Sequence, residues 1–284
     1  MTFDHDTYRR SSLENWEESA GAWVRRQGLM RAMAAPVSHR MIEMTEPQPG
    51  ERFLELAAGL GETGLLAAEL LAPMGSIVIS DQAEAMLDGA RARAGELGLT
   101  NVEFEVLNAE WIDLPVASVD GVLCRWGYML MADPAAALAE TRRVLRPGGR
   151  VALAVWDELA ANPWAALPGR ELIERGLAPA PGPQAPPGPF ALSTPGAVEA
   201  LLADAGFGDI RVEALELERR HPDFDELWES TLDLSRGFHD AVMSRPEGEI
   251  EEIRASLERR FAAHAAPDGS LRIPGRTLVA SAGS

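Results

Sequence analysis

The amino-acid sequence predicts an α/β fold: a doubly wound, mostly parallel seven-stranded sheet with an antiparallel edge strand and an N-terminal helical cap. Three observations predict it. Between residues 52 and 156, short apolar runs rich in Val, Ile and Leu alternate with segments of helical length, the pattern of successive βαβ units. The first apolar run ends in the carboxylate Glu55 and passes through Ala57-Ala58-Gly59-Leu60-Gly61, a turn that opens the next helix. Two more strand-like runs come late and are separated by helices, which suggests antiparallel pairing at one edge.

The elements follow in order. Trp16, Ala20, Trp23 and Met30 recur among charged residues and predict one amphipathic helix over about 12–33, with Pro36, Pro47, Pro49 and Gly50 punctuating the approach to the sheet. Strands are expected at 52–56, 76–80, 102–106, 119–124 and 150–156, and helices at 62–72, 83–97 and 134–145. Each crossover is long enough to be helical and right-handed. Residues 176–196 are too rich in proline and glycine to hold a helix or a central strand, and read as a loop or flap. A helix over 195–205, a strand over 209–217, helices over 223–243 and 246–264, and a last strand over 271–282 complete the chain.

Composition narrows the function. The chain has 284 residues, 46% of them apolar, enough for one substantial core with additions. With 26 basic against 44 acidic side chains the net charge is −18, and no run of Lys or Arg offsets it, so neither nucleic acid nor an anionic membrane is an expected partner. Cys124 is the only cysteine, which rules out an internal disulfide and a cysteine-based metal cluster. The N-terminus carries no leader-like pattern and no run is long and apolar enough to span a bilayer, so the expected location is cytoplasmic.

Two positions in the first half carry recognisable chemistry. Asp81 closes the second strand at the carboxyl edge of the sheet, where doubly wound folds bind ligands, and a carboxylate there is suited to accept both hydroxyls of a ribose. Asp81 with Glu84 three residues on also reads as a capping box for the helix over 83–97, and both uses stay open. Glu55 is costly to bury unpaired, so it needs a cation or amide donors nearby. Gly59-Leu60-Gly61-Glu62-Thr63-Gly64 spells a dinucleotide fingerprint, so an NAD-dependent oxidoreductase is one reading. Against it, Glu55 and Glu62 would face a pyrophosphate at the helix N-terminus.

Taken together, Glu55-Leu56-Ala57-Ala58-Gly59-Leu60-Gly61, Asp81, Asn108-Ala109-Glu110, Val119-Asp120-Gly121-Val122 and Arg143 through Arg150 with Pro147-Gly148-Gly149 resemble the class I S-adenosylmethionine-dependent methyltransferases. Within that family they resemble the small-molecule branch that includes the ubiquinone and menaquinone methyltransferases. The resemblance implies a Rossmann-like methyltransferase fold, S-adenosyl-L-methionine as cofactor and a small-molecule acceptor. It implies a cofactor site made of Glu55, Ala57, Gly59, Gly61, Asp81, Gln82, Met86, Asn108, Ala109, Glu110 and Arg125. Asp81 would bind the ribose, Asn108 and its neighbours the adenine edge, and Arg125 the methionine carboxylate. Ala57 departs from the family by standing where the first glycine is usual, a change tolerated only if its φ is negative. Asn108 stands where aspartate is usual, and is also an ordinary turn residue. A module that binds the cofactor without turnover remains a third possibility.

The division this implies is a helical cap over 1–48, a cofactor-binding core over 49–157, a Pro-rich flap over 158–192, and the rest of the sheet with inserted substrate-side helices over 193–284. Trp16, Trp23, Trp126, Tyr128 and His239 are the expected acceptor-lining residues, although core burial explains each aromatic as well. These indoles favour an aromatic or apolar acceptor over a highly charged one. If the acceptor needs a general base, His239, His221, His39 and Tyr128 are chemically able, with His239 and then Tyr128 the preferred catalytic residues. No metal is expected, because the fourth strand ends in Cys124-Arg125-Trp126 and lacks clustered carboxylates.

Overall fold

The structure, a computed structural model, describes residues 3–179 and 187–284. Its centre is a seven-stranded sheet of β1 (Arg52–Glu55), β2 (Ser76–Asp81), β3 (Val102–Val106), β4 (Val119–Arg125), β5 (Leu145–Trp156), β6 (Gly208–His221) and β7 (Leu271–Gly283). They lie in the order β3-β2-β1-β4-β5-β7-β6. The first five run parallel, and β7 runs antiparallel to both β5 and β6, one place in from the outermost strand. The central strands are buried on both faces by Phe53, Leu54, Ile77, Val78, Ile79, Val122, Leu123 and Val151. Such double-sided burial is what a near-continuous apolar run signals, and each such side chain contributes about 1.5–3 kcal/mol.

The crossover helices are α3 (Glu62–Leu71), α4 (Glu84–Leu97) and α5 (Pro134–Val144), preceded by α1 (His5–Arg25) and α2 (Gln27–Thr45). The single predicted N-terminal helix is thus two. Asp4 caps α1 by accepting from the amides of Asp6 and Thr7, so it starts earlier than the indole spacing implied. Pro36, read as punctuation, lies inside α2. The buried stripe Met33, Ala34, Val37, Met41 and Ile42 continues through it, while Pro36 and Ala32 face solvent, so the carbonyl that loses its amide partner lies on the wet side.

The second half adds α6 (Pro163–Glu174), α7 (Pro195–Asp204), α8 (Phe224–Leu234), α9 (Arg236–Met243) and α10 (Glu247–Phe261). α6 occupies part of the span expected as a flap, nucleated by Pro163 in its first turn. Residues 180–186 of that span lie outside the described residues. Leu172, Leu227, Phe238, Val242, Ile253, Leu257 and Phe261 form a second apolar cluster with Leu271 and Ile273 of β7.

The β6–β7 ribbon is what connects the two clusters. β5 pairs with β7 only as far as Trp156 opposite Thr277, whereas β6 and β7 continue paired out to His221 opposite Leu271. β6 therefore runs four residues past its expected end at 217, beyond the carboxyl end of β5. That is the edge at which open parallel sheets bind their ligands.

Candidate active site

A cavity of about 440 Å³ opens at this edge, with apolar lining predominating. Its floor is the turn after β1. Ala57, Gly59 and Gly61 have φ of 48°, 54° and 74°. Ala57 is therefore in the left-handed region, contrary to the negative φ expected of it, at a cost of about 1–2 kcal/mol. The turn is closed by Gly61 N–H on Ala58 O (2.9 Å) and fixed from outside by Ala58 N–H on Ser80 O (2.9 Å) and Gly59 N–H on Asp81 Oδ2 (2.8 Å). A Cβ at Gly59 would meet nothing within 4 Å, so this backbone faces open cavity, whereas one at Gly61 would lie 3.1 Å from Ala90 Cβ. Gly61 and Gly64 thus serve packing beneath the turn and not the cavity wall. At Gly64 an added Cβ would fall 2.4 Å from Glu55 Oε2.

Glu55 is itself below the floor. It is 1% exposed, accepts from Gly64 N–H (2.9 Å) and does not line the cavity. Desolvation pushes its carboxyl up to about 8, with the Arg125 charge and the Gly64 amide opposing. Arg125 lies on the cavity wall, donates from Nε to Thr63 Oγ1 (3.0 Å), and stacks with its guanidinium 4.8 Å from the Trp126 ring centre. Asp81 reaches the cavity too, accepting from Gly59 and from Ala83 N–H (2.9 Å). Burial raises its pKa while these amides oppose the shift. It is not the cap of α4: Ala83 holds that position, and Glu17 of α1 accepts from the first-turn amides of Glu84 (2.7 Å) and Ala85 (3.2 Å). A carboxylate has about four acceptor sites, so these amides leave capacity for a ligand.

α1 covers this end. Trp16 and Trp23 meet edge to face at 5.6 Å and pack with Leu60 and Met86 at the cavity. Gln82 donates to Ser12 Oγ (3.3 Å), Tyr8 to Leu130 O (2.8 Å), and Arg9 to Glu110 (3.0 Å), whose other oxygen accepts from Ala132 N–H (2.9 Å). Asn108 makes the turn expected of it, accepting from Glu110 N–H (2.9 Å), and lines the cavity together with Ala109 and Glu110.

Beyond Arg125 the wall becomes aromatic. Trp126 stacks on Trp156 at 4.2 Å, Trp156 meets Trp164 at 4.8 Å, and the Arg219 guanidinium sits 3.8 Å from the Trp164 ring centre. Trp126 takes φ 60°, unusual for a bulky residue, and is locked by its indole N–H on Thr277 Oγ1 (3.0 Å) and its amide on Ala154 O (2.8 Å). Leu217, Arg219 and His221 alternate along β6 and so share its inner face. His221 lines the cavity and is 2% exposed; its Nδ1 meets Glu226 Oε2, and its Nε2 is buried without a hydrogen-bond partner among the described residues. The other oxygen of Glu226 accepts from Arg26 (3.3 Å), and Glu226 N–H is taken by the α8 cap Asp223 (2.8 Å). Burial lowers the His221 pKa despite the Glu226 carboxylate, so the ring is neutral near pH 7.

Two expected residues are elsewhere. Tyr128 is fully buried and absent from the wall; its hydroxyl is bonded to Thr141 Oγ1 (2.6 Å), and burial holds its pKa well above the usual value. It does not line the cavity, contrary to the expectation, because its ring packs beneath α5, whose Thr141 engages the hydroxyl. His239 is exposed on α9 with Nδ1 against Asp240 (3.0 Å), and it is the neighbouring Phe238 that turns inward. His39 is likewise exposed on α2.

Comparison with known proteins places this geometry. A family model described as a methyltransferase domain matches residues 47–174. The chain is 30% identical to the nocamycin O-methyltransferase of Saccharothrix syringae over 243 residues, 81% of this chain and 85% of the relative. It is also 30% identical to the aklanonic acid methyltransferase of a Streptomyces species over 146 residues, 51% of this chain and 65% of that protein. The YcgJ protein from Bacillus subtilis shares the fold with a TM-score of 0.59 at 18% identity, over 87% of this chain and 97% of its own. The extent of the first relationship, joined to a glycine turn, an aspartate at the end of β2 and a cavity at the strand ends, means that the chain belongs to the class I S-adenosylmethionine-dependent methyltransferases.

Proposed function

We propose that the protein methylates an acidic hydroxyl, phenolic or enolic, on a flat apolar acceptor, with His221 as general base. The observation that carries this reading is His221, a residue of the cavity lining whose buried Nε2 has no hydrogen-bond partner among the described residues while Nδ1 is engaged by Glu226. Support for the transfer to oxygen also comes from the relative named as an O-methyltransferase.

The residues present fit the cofactor. Gly59 leaves open space where a side chain would stand, Asp81 retains acceptor capacity for a diol, Arg125 offers a cation at the wall, and Trp16 and Trp23 cover the site. S-adenosylmethionine would supply, when bound, a sulfonium-activated methyl group open to in-line attack at carbon by an oxygen lone pair, with a neutral thioether as the leaving group. The chain's own task is positioning and dehydration. The indoles of Trp126, Trp156 and Trp164 provide flat apolar surface for the acceptor. His221 Nε2 takes the hydroxyl proton, and the Glu226 carboxylate stabilises the imidazolium that results. Arg26 holds Glu226 in place.

The test is methylation from labelled S-adenosylmethionine of a panel of polycyclic phenols, aryl amines and carbon acids, by the native protein and by His221→Ala. O-methylated phenol from the native protein, with a rate at least about 100-fold lower in the variant, is the expected result. Methylation confined to nitrogen or carbon, or a variant as active as the native protein, would overturn the reading.

A further inference from the structure

The cavity's charges are divided unevenly. The carboxylates on its wall, Glu62, Asp81 and Glu110, all belong to the end covered by α1, and each has partners: Arg31 for Glu62, Gly59 and Ala83 amides for Asp81, Arg9 and the Ala132 amide for Glu110. The wall contributed by α6, β6, α8 and α9 carries Arg219 and His221 and no carboxylate among the described residues. In a chain of net charge −18, that absence needs a reason.

Arg219 supplies one. Its neighbours on β6, Glu218 and Arg220, pair with each other and face outward. Arg219 turns inward, where no ion pair is formed among the described residues and Nε is buried without a hydrogen-bond partner. Its packing is aromatic instead, 3.8 Å from the centre of Trp164 and 5.7 Å from that of Trp156. A half-buried guanidinium with its Nε shut off from solvent and no counter-ion among the described residues is costly, and here desolvation pulls its pKa down to about 9. Cation–π contact recovers only part of that cost. A cation left this way at a ligand-binding wall is completed when the ligand brings the opposite charge.

We infer that Arg219 is an anion-binding residue of the acceptor site, and that the acceptor carries a negative charge at neutral pH beside its apolar rings. A carboxylate is the chemistry that best suits the guanidinium fork. The inference deepens the proposed reaction by naming the acceptor's charge. With the rings against Trp126, Trp156 and Trp164, the anion would lie at Arg219 and the hydroxyl at His221, two residues along the same face of β6.

Calorimetry with two matched probes tests it: anthraquinone-2-carboxylate and the neutral anthraquinone-2-carboxamide, titrated at pH 7 with and without S-adenosylhomocysteine. The carboxylate should bind at least about tenfold more tightly than the carboxamide. Arg219→Met should bring the two to within about twofold, Arg219→Lys should keep part of the preference, and S-adenosylhomocysteine affinity should not change. Equal binding of the probes by the native protein, no binding of the carboxylate, or a preference retained in Arg219→Met would overturn the inference. The native comparison stands even if a variant fails to fold. Failure of S-adenosylhomocysteine to bind, with the carboxylate preference intact, would count against the methyl-transfer reading alone.

Discussion

Glu226 holds the Nδ1 side of His221, a residue that lines the cavity, while Nε2 of the same ring is buried without a hydrogen-bond partner among the described residues. That arrangement fixes the tautomer: the proton is on Nδ1 and the lone pair on Nε2.

A pH profile follows from it. A base acts only when neutral, and burial puts the His221 pKa below its ordinary value of 6.5, so kcat/KM should rise with pH through a limb below 6.5 and then level off. His221→Gln should abolish that limb and lower kcat by about 10²- to 10⁴-fold with unchanged S-adenosylhomocysteine affinity. Because Glu226 opposes the downward shift, Glu226→Gln should move the limb to still lower pH. Initial rates between pH 5 and 9 check each point; a limb unaffected in His221→Gln would remove the ring from the chemistry.

Asp81 joins the glycine turn to the start of α4 and also faces the cavity, so its loss should register twice. Asp81→Ala is expected to weaken S-adenosylhomocysteine binding by about 1–3 kcal/mol and to lower stability by a similar amount. Calorimetry and urea unfolding separate the two. Unchanged affinity with lowered stability would leave Asp81 a purely structural link.

Gly64 and Glu55 should be energetically coupled. A methyl group at Gly64 is placed 2.4 Å from Glu55 Oε2, so Gly64→Ala should cost about 1–3 kcal/mol by overpacking. The same substitution in a Glu55→Ala background should cost less, with a coupling of at least about 0.5 kcal/mol in a double-mutant cycle. Additive costs would show that the two do not share this space.

Glu55 also predicts how stability depends on pH. Its carboxyl is raised from 4.5 to about 8 in the folded protein, so the fold holds a proton that the unfolded chain releases above pH 4.5. The stability this contributes is fully present below about pH 4.5 and declines as pH rises to about 8. Glu55→Gln should therefore show a flatter dependence over pH 5–8 in urea titrations. Parallel curves for the two proteins would mean that Arg125 keeps Glu55 ionised throughout.

The inner parallel strands were legible because they are buried on both faces and carry apolar runs, and the edge strand β3 because Val102-Glu103-Phe104-Glu105-Val106 alternates. The glycine turn and Asp81 were legible because a tight strand-to-helix turn at the carboxyl edge of the sheet constrains residue type at fixed spacing. The cavity wall formed by β6 was not. Glu218-Arg219-Arg220-His221 reads as a solvated charged run, and only the ribbon's extension past β5 shows that alternate members of it turn inward. His239 and Tyr128 were plausible by chemistry alone, but which histidine faces the cavity depends on the rotation of α9 and the length of β6, neither of which residue type fixes. Pro36 misled for a related reason: a proline breaks a helix less when its orphaned carbonyl faces water. Ala57 shows that a left-handed turn position tolerates a methyl group where surrounding bonds impose the conformation.

Five of the seven tryptophans, Trp16, Trp23, Trp126, Trp156 and Trp164, look into one chamber, while Trp111 is 80% exposed to water. The native fluorescence of this enzyme is therefore weighted toward the space its substrates must enter. A flat chromophore arriving there would quench the emission by energy transfer, so the molecule is its own unlabelled reporter for sorting a metabolite extract into ligands and bystanders.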